Sequence, residues 1–295
     1  MTQARPTGVA VVIPCFNQAH YLAEAIESAL AQTLPPAEIV VVDDGSADNS
    51  YEVAGRYEGA VRMRQRNSGV AAARNVGLSV TRSEYLVFLD ADDRLVPEAL
   101  EVGTTALDCR PQVAFVSGIP RDIGDDGAIL PGKRQSVVTQ DHYVKLLEDC
   151  FIWSGSSIVY RRSAIEAVAG FDETLDAADD YDLYLRLARR FPIYCHGATV
   201  TEYRRHGTNT TRNPRVVLDS QLEVLGRQRR SLRDKREREA RRVGLRNTRR
   251  EHGSALVTRI AEDWRGNRRR QALQGVRTLA RRDPQGLPRL LGVAR

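Results

Sequence analysis

The chain has 295 residues, 42% of them hydrophobic and 28% charged, with a formal net charge of +6. At this length roughly 75% of the unfolded surface can be buried, so the composition suits a soluble globular protein with a real core. No apolar run approaches the roughly 18 residues of a membrane helix, and "VAVVI" near the start is too short for the core of a signal peptide, so none is expected.

The charge is uneven. Residues 1–215 carry 22 Lys and Arg against 29 Asp and Glu, a net −7, while residues 216–295 carry 22 against 9, a net +13. A domain boundary is therefore expected near Pro214, dividing residues 1–215 from a basic, Arg-rich extension at 216–295. The four cysteines (Cys15, Cys109, Cys150, Cys195) form no CxxC pair and are expected as free thiols in a reducing cytosol.

In chain order, "GVAVVIP" reads as a buried strand, and "YLAEAIESALAQ" as a helix with Leu22, Ile26, Ala29 and Leu30 on one face. "EIVVVDD" is a second strand, followed by a helix over 50–57. "VRMRQ" alternates as a third strand, and residues 69–79 are Ala-rich and helical. "EYLVFLD" is a fourth strand, and Pro97 opens another helix. Strand followed by helix, repeated, predicts an α/β domain with a mostly parallel central sheet flanked by helices. After Asp141 the pattern is less regular. "SSIVYRR" is a short strand, "AGFDETL" a loop, "DDYDLYLRLARR" a helix whose charges suit its dipole, and "TVTEYRRHGTNTT" a strand entering a polar loop.

Ligands in parallel α/β sheets bind beyond the carboxyl ends of the strands. Two acid clusters stand at such ends: Asp43–Asp44, and Asp90, Asp92 and Asp93. Asp and Gly after a strand also make ordinary turns. A cap or turn accounts for one acid, whereas three in four residues repel one another unless a cation is shared. Mg²⁺ is typically held by one or two carboxylates plus substrate phosphates. Arg74 reads either as a solvated helix residue or as a diphosphate contact. Asp179 and Asp180 could simply complement a helix dipole, and His206 and Trp153 could be packing residues.

Together, "VVIPCFNQAHYLAEAIESALAQTLPPAEIVVVDDGSADNS", "NSGVAAARNVGL", "EYLVFLDADD", "RRSAIEAVAGFDETLDAADDYDLYLRLA" and "YRRHGTN" resemble the family 2 glycosyltransferases in their bacterial form. The resemblance covers most of residues 8–212 and implies the GT-A fold. It also implies the site. Pro14 and Phe16 would flank the base of a bound nucleotide, Asp44 would read that base with Asp43 beside it, and Arg74 would lie near the diphosphate. Asp90 and Asp92 match the DxD pair, with ribose and metal roles, and His206 resembles a histidine that closes on the metal or diphosphate. Asp180 matches the second acid of a Glu-Asp pair and would be the catalytic base; here the pair is Asp179–Asp180. Phe16 stands where tyrosine is common. Trp153 and Asp179 are candidates for acceptor contact.

The implied reaction is inverting transfer from a nucleotide sugar, UDP-linked, to a saccharide or lipid-linked acceptor, assisted by Mn²⁺ or Mg²⁺, in bacterial cell-surface polysaccharide or glycolipid synthesis. The alternative is an inactive nucleotide-sugar-binding relative acting as an interaction protein. A dehalogenase-type phosphatase would want Thr or Val two residues past the second Asp, where this chain has Arg94. A nucleotidyltransferase would want a Gly-rich loop after the first strand, and "PCFNQAH" is not one. The acidic front part argues against nucleic acid as the main partner. The tail interleaves Glu and Asp with Arg at helical spacing, which fits a solvated helix. Its surplus of cations also fits peripheral binding at the inner, cytoplasmic face of a membrane. On either reading, residues 1–215 are expected to be complete without it.

Overall fold

The computed structural model describes residues 8–132, 137–175, 177–207, 209 and 213–293, with side chains to Leu290. Much of the polar loop expected after His206 (Thr208, Thr210, Thr211 and Arg212) lies outside the described residues. The chain divides into two compact units. One comprises Met1–His142, Phe151–Thr174 and Leu183–His206; the other comprises Tyr143–Cys150, Leu175–Asp182 and Gly207–Arg295.

The first unit is built on an eight-stranded sheet. Its elements are β1 (Val9–Cys15), α1 (Ala19–Leu30), β2 (Glu38–Asp43), α2 (Ser50–Ala54), β3 (Val61–Arg64), α3 (Val70–Val80), β4 (Tyr85–Phe88), β5 (Arg94–Leu95), α4 (Ala99–Asp108) and β6 (Phe115–Ile123). After α5 (His142–Glu148) come β7 (Ile158–Arg161), α6 (Arg162–Ala167), α7 (Asp179–Arg190) and β8 (Tyr194–Arg204). The strand order is β3-β2-β1-β4-β7-β6-β8-β5. The β3-β2-β1-β4 half is wholly parallel. In the other half only β6 and β8 run parallel, while β7 pairs antiparallel to β4 and β6, and β5 pairs antiparallel to β8. The sheet is thus mixed, and β5 and β6 are strands that the sequence pattern did not single out.

The parallel half forms because β1 and β4, and β2 between its terminal Glu38 and Asp43, are apolar, as strands covered on both faces must be. Pro14 sits inside β1 without breaking it, because β4 pairs only with Val9–Val12 and stops short of the proline. Helix α1 buries Leu22, Ile26 and Ala29 in the core of this half, each large side chain contributing about 1.5–3 kcal/mol. Leu30, expected on that face, is 44% exposed. The chain steps outward from β1 to β2 and β3, then returns to the other side of β1 as β4. That reversal is a topological switch point, where adjacent loops diverge and leave a crevice at the carboxyl ends.

The second unit is helical: α8 (Pro214–Arg227), α9 (Lys235–Thr248), α10 (Ser254–Arg265), α11 (Arg269–Arg282) and α12 (Leu287–Val293), joined by the earlier segments 143–150 and 175–182. It is not a solvated arm. Leu218, Leu222, Leu256, Val257, Ile260, Ala272 and Leu279 form a core of their own. Helix α9 presses on the earlier segment at Gly244, where a Cβ would come within 2.0 Å of the Leu147 carbonyl oxygen. Tyr143 donates its hydroxyl to Gln228 at 3.1 Å, and Asn247 donates its amide to the Glu148 carbonyl at 3.1 Å. The 215–216 boundary falls inside α8, and the helical unit includes two stretches that precede it. A running charge count cannot see this, because those stretches are acidic like the rest of residues 1–215 and join the basic helices through packing.

Candidate active site

At the carboxyl ends of β1 and β2, two loops are stitched together by short polar side chains. Ser46 Oγ accepts the Asn17 N–H at 2.9 Å, Asn17 Oδ1 accepts the Ala47 N–H at 2.8 Å, and Asp48 accepts the Ala19 N–H at 3.0 Å. Pro14 is buried beneath them, and Phe16 projects with 46% exposure.

Asp43 and Asp44 are both buried and do different work. Asp43 Oδ1 accepts the Ser46 N–H at 2.9 Å, closing the turn, and its Oδ2 lies 3.3 Å from Arg64 Nε. Asp44 reaches across to the loop ahead of α3. It accepts Gln65 Nε2 at 2.7 Å and the N–H groups of Ser68 and Gly69 at 2.8 Å each. Gly69 caps α3 at φ 95°, a conformation that disfavours any side chain. Asp44 therefore sets where α3 begins, and α3 carries Arg74.

Arg74 is not a solvated helix residue. It is 6% exposed, donates Nη2 to Asp90 Oδ1 at 2.7 Å, and lies 5.4 Å over the Phe171 ring. Two expected site residues thus meet. Removal from water raises the Asp90 carboxyl above its usual pKa, Arg74 opposes the shift, and the Asp92 charge adds to it.

The three acids after β4 separate by role. Asp90 faces Arg74. Asp92 Oδ2 lies 2.6 Å from Nε2 of His206, whose ring is buried and 5.0 Å from that of Tyr21. Asp93 turns inward and is 1% exposed. It accepts Ser156 Oγ at 2.7 Å and the Arg204 N–H at 3.0 Å, tying the acid loop to the end of β8. Burial, reinforced by Asp92 and Asp90, pushes its carboxyl well above the ordinary aspartate range. Ser156 also accepts the Asp90 N–H at 3.1 Å. None of the three caps α4, whose N-cap is Glu98.

Arg204 is the residue that sequence reasoning missed. It is fully buried. It donates Nε to the Asp92 carbonyl at 2.9 Å, Nη1 to the Asp125 carbonyl at 2.9 Å and Nη2 to Glu24 at 2.7 Å. Its guanidinium also lies 4.7 Å over the Tyr21 ring, while the Tyr21 hydroxyl donates to Asp125. Burial first, then Asp125, push that hydroxyl up to about 12. The available signal was the strand phase: in β8, Val200 and Arg204 are an even number of residues apart and share a face.

Among the described residues, no group of three or more His, Cys, Asp or Glu side chains could cage a metal ion. Asp92 Oδ2 and His206 Nε2 do converge, and two protein ligands completed by substrate phosphates and water are a normal complement for Mg²⁺ or Mn²⁺. The donor chemistry therefore fits a divalent cation.

The remaining candidates lie apart in sequence. Trp153 belongs to the first unit and is 45% exposed. Asp179 and Asp180 belong to the second, at the start of α7. Asp179 is 3% exposed, and Asp180 Oδ1 accepts the N–H of Tyr181 at 2.7 Å.

A mixed α/β sheet with polar side chains gathered at its switch point defines an α/β class of protein whose ligands bind beyond the carboxyl ends of the strands. Residues 10–169, more than half of the chain, match the family described as Glycosyl transferase family 2, and the chain belongs to that family. It is 29% identical over 221 residues to the chondroitin synthase of Pasteurella multocida, an alignment covering 69% of this chain and 21% of that protein. It is also 29% identical over 209 residues to an uncharacterized glycosyltransferase of Rickettsia typhi, covering 69% of this chain and 65% of that one. The chain thus spans about a fifth of the synthase and just under two thirds of the second relative. The crystal structure of S. aureus TarS 1–349 in complex with UDP superposes with a TM-score of 0.65 at 19% identity, covering 86% of this chain and 80% of that one. This last likeness supports the GT-A architecture.

Proposed function

We propose that the chain is an inverting glycosyltransferase that moves a sugar from a UDP-linked donor to a hydroxyl of a saccharide or lipid-linked acceptor, in cell-surface polysaccharide or glycolipid synthesis. The observation that carries this reading is the convergence of Asp90, Arg74, Asp92 and His206 beyond β4, at the switch point of the sheet. The TarS structures with UDP and UDP-GlcNAc, and relatives named chondroitin and hyaluronan synthase, support the donor class and a polysaccharide product.

In this reading Phe16 lies against the base, Asp44 with Asp43 accepts its N–H group, and Asp90 accepts from the ribose. Asp92 and His206 would hold Mn²⁺ or Mg²⁺, which when bound offsets the charge on the departing diphosphate. Arg74 adds fixed positive charge beside Asp90. Asp180 takes the proton from the acceptor hydroxyl as that hydroxyl attacks, with Asp179 and Trp153 on the acceptor side. A positioned base of this kind is worth about 10²–10⁴-fold. The basic second unit would keep the enzyme at the cytoplasmic face of a membrane.

The test is thermal melting with UDP, with and without Mn²⁺, together with turnover of UDP-sugars. A ligand at one hundred times its Kd stabilises the native state by about 2.7 kcal/mol, which raises Tm by roughly 5–10 °C at this size. Asp92→Asn is expected to abolish the metal-dependent part of the shift. Asp180→Asn is expected to lower kcat by about 10²-fold or more with UDP affinity unchanged. The absence of any shift with UDP and metal would overturn the donor assignment. Wild-type turnover in Asp180→Asn would overturn the base.

A further inference from the structure

We propose that the tip of the α10–α11 hairpin is a docking surface for an anionic lipid bilayer. This rests on the membrane-side reading of the second unit given above, and it names the face that makes the contact. The tip reads "DWRGNRRRQALQ", with α10 ending at Arg265 and α11 beginning at Arg269.

Two large apolar side chains stand open there. Trp264 follows Ile260 by four residues and Ala261 by three, so it extends the core-facing stripe of α10 by one more turn. The core ends beneath it, and Trp264 is 59% exposed. On α11, Ala272, Gly275 and Leu279 face inward, whereas Leu273 is 50% exposed. Arg269, Arg270 and Arg277 stand four residues before, three before and four after Leu273, on the same exposed face.

These arginines differ from their neighbours. Arg281 and Arg282 are held by Asp219, Arg282 also by Glu223, and Arg268 by Asp263 at 2.8 Å. Among the described residues, Arg269, Arg270 and Arg277 form no ion pair. The tip therefore offers uncompensated cations around two uncovered apolar side chains.

That pairing matches a bilayer interface. Anionic headgroups attract the guanidinium groups, an indole ring favours headgroup depth, and an aliphatic side chain enters the acyl boundary. A nucleic acid would satisfy the arginines but leave Leu273 facing water. No helix among the described residues is long and apolar enough to cross a membrane.

The experiment is flotation of the full chain with vesicles of phosphatidylcholine alone, and with vesicles that also contain phosphatidylglycerol. Binding is expected only to the anionic vesicles, weakening as salt rises. The variants are Trp264→Ala with Leu273→Ala, and separately Arg269→Glu with Arg270→Glu. All four side chains are exposed, and an unchanged melting curve checks the fold. Each pair is expected to lower partitioning by about tenfold or more. The chain has two tryptophans, so in a Trp153→Phe background a blue shift on vesicle addition reports Trp264 alone. If the full chain binds and both variants bind equally, the hairpin assignment is overturned while the membrane reading stands. If the full chain binds no anionic vesicles, both are overturned. Tighter binding to a single-stranded RNA oligonucleotide than to vesicles would reassign the face to nucleic acid.

Discussion

Replacing Arg204 by methionine keeps most of the aliphatic bulk at a fully buried position and removes the guanidinium. Among the acceptors that then lose a charged donor are the Asp92 and Asp125 carbonyls, each at 2.9 Å, and Glu24 at 2.7 Å, with the Gly124 carbonyl a weaker partner at 3.4 Å. Hydrogen bonds from a charged group are worth roughly 1.5–3 kcal/mol each. The Glu24 share is small, because that side chain is 42% exposed and keeps Arg94 at 3.0 Å, so water and Arg94 replace what is lost. The two carbonyls dominate, and the expected loss is about 3–5 kcal/mol. At roughly 2–4 °C per kcal/mol, the first unit's transition falls by about 10 °C. Arg204→Lys retains a cation for Glu24 but lacks the planar fork that reaches both carbonyls, so about half the loss is expected. Thermal melting by circular dichroism measures all three proteins. An Arg204→Met protein that melts within about 2 °C of wild type would refute the reasoning, since no rearrangement of neutral side chains supplies two charged donors at that depth.

Two further predictions follow from the packing. A chain ending at residue 215 loses the partners of segments 143–150 and 175–182, including the Tyr143–Gln228 and Glu148–Asn247 bonds. It is expected to aggregate or melt without cooperativity, and a soluble truncation with wild-type melting would show that those segments hold without the helices. His196 has its pKa lowered by burial and by the nearby Arg110 charge, and its Nδ1 accepts the Ala198 N–H at 3.2 Å. Below the unfolded value of about 6.5 the unfolded chain binds a proton that the folded chain resists, so wild-type stability falls as pH falls through that window. The Tm of His196→Gln relative to wild type is expected to rise as pH falls below that value, and a pH-independent difference would count against it.

Much of the architecture was legible because its cause is local. The runs "VAVVIP", "IVVVDD" and "YLVFLD" are apolar until they end in acids or loops. Strands covered on both faces need such runs, and strand ends at a switch point are where polar ligands bind. The motif order carried the family, which the match over residues 10–169 bears out. The mixed half was less legible. β5 has two residues, β7 has four, and β6 and β8 meet through register shifts that no periodicity encodes.

The division of labour within the acid cluster was decided only in three dimensions. Asp90, Asp92 and Asp93 are chemically alike in sequence, and their partners come from α3 (Arg74), the turn before β7 (Ser156), the end of β8 (Arg204) and just past it (His206), all set apart from the acids along the chain. Arg204 and Arg205 are adjacent and identical in type. One is fully buried against a glutamate 180 residues away, and the other is exposed beside Asp122. The tail shows the same limit from the other side. Its arginines dominate the composition, yet seven apolar residues spread from Leu218 to Leu279 close a core. The sequence by itself determined the family, the parallel strands and which acids gather at their ends, since these follow from apolar runs and short-range order. Which carboxylate is a latch and which faces the crevice, and where one unit stops and the other begins, depended on burial among residues distant in the chain. Burial is a property of the packed whole, and local sequence does not carry it.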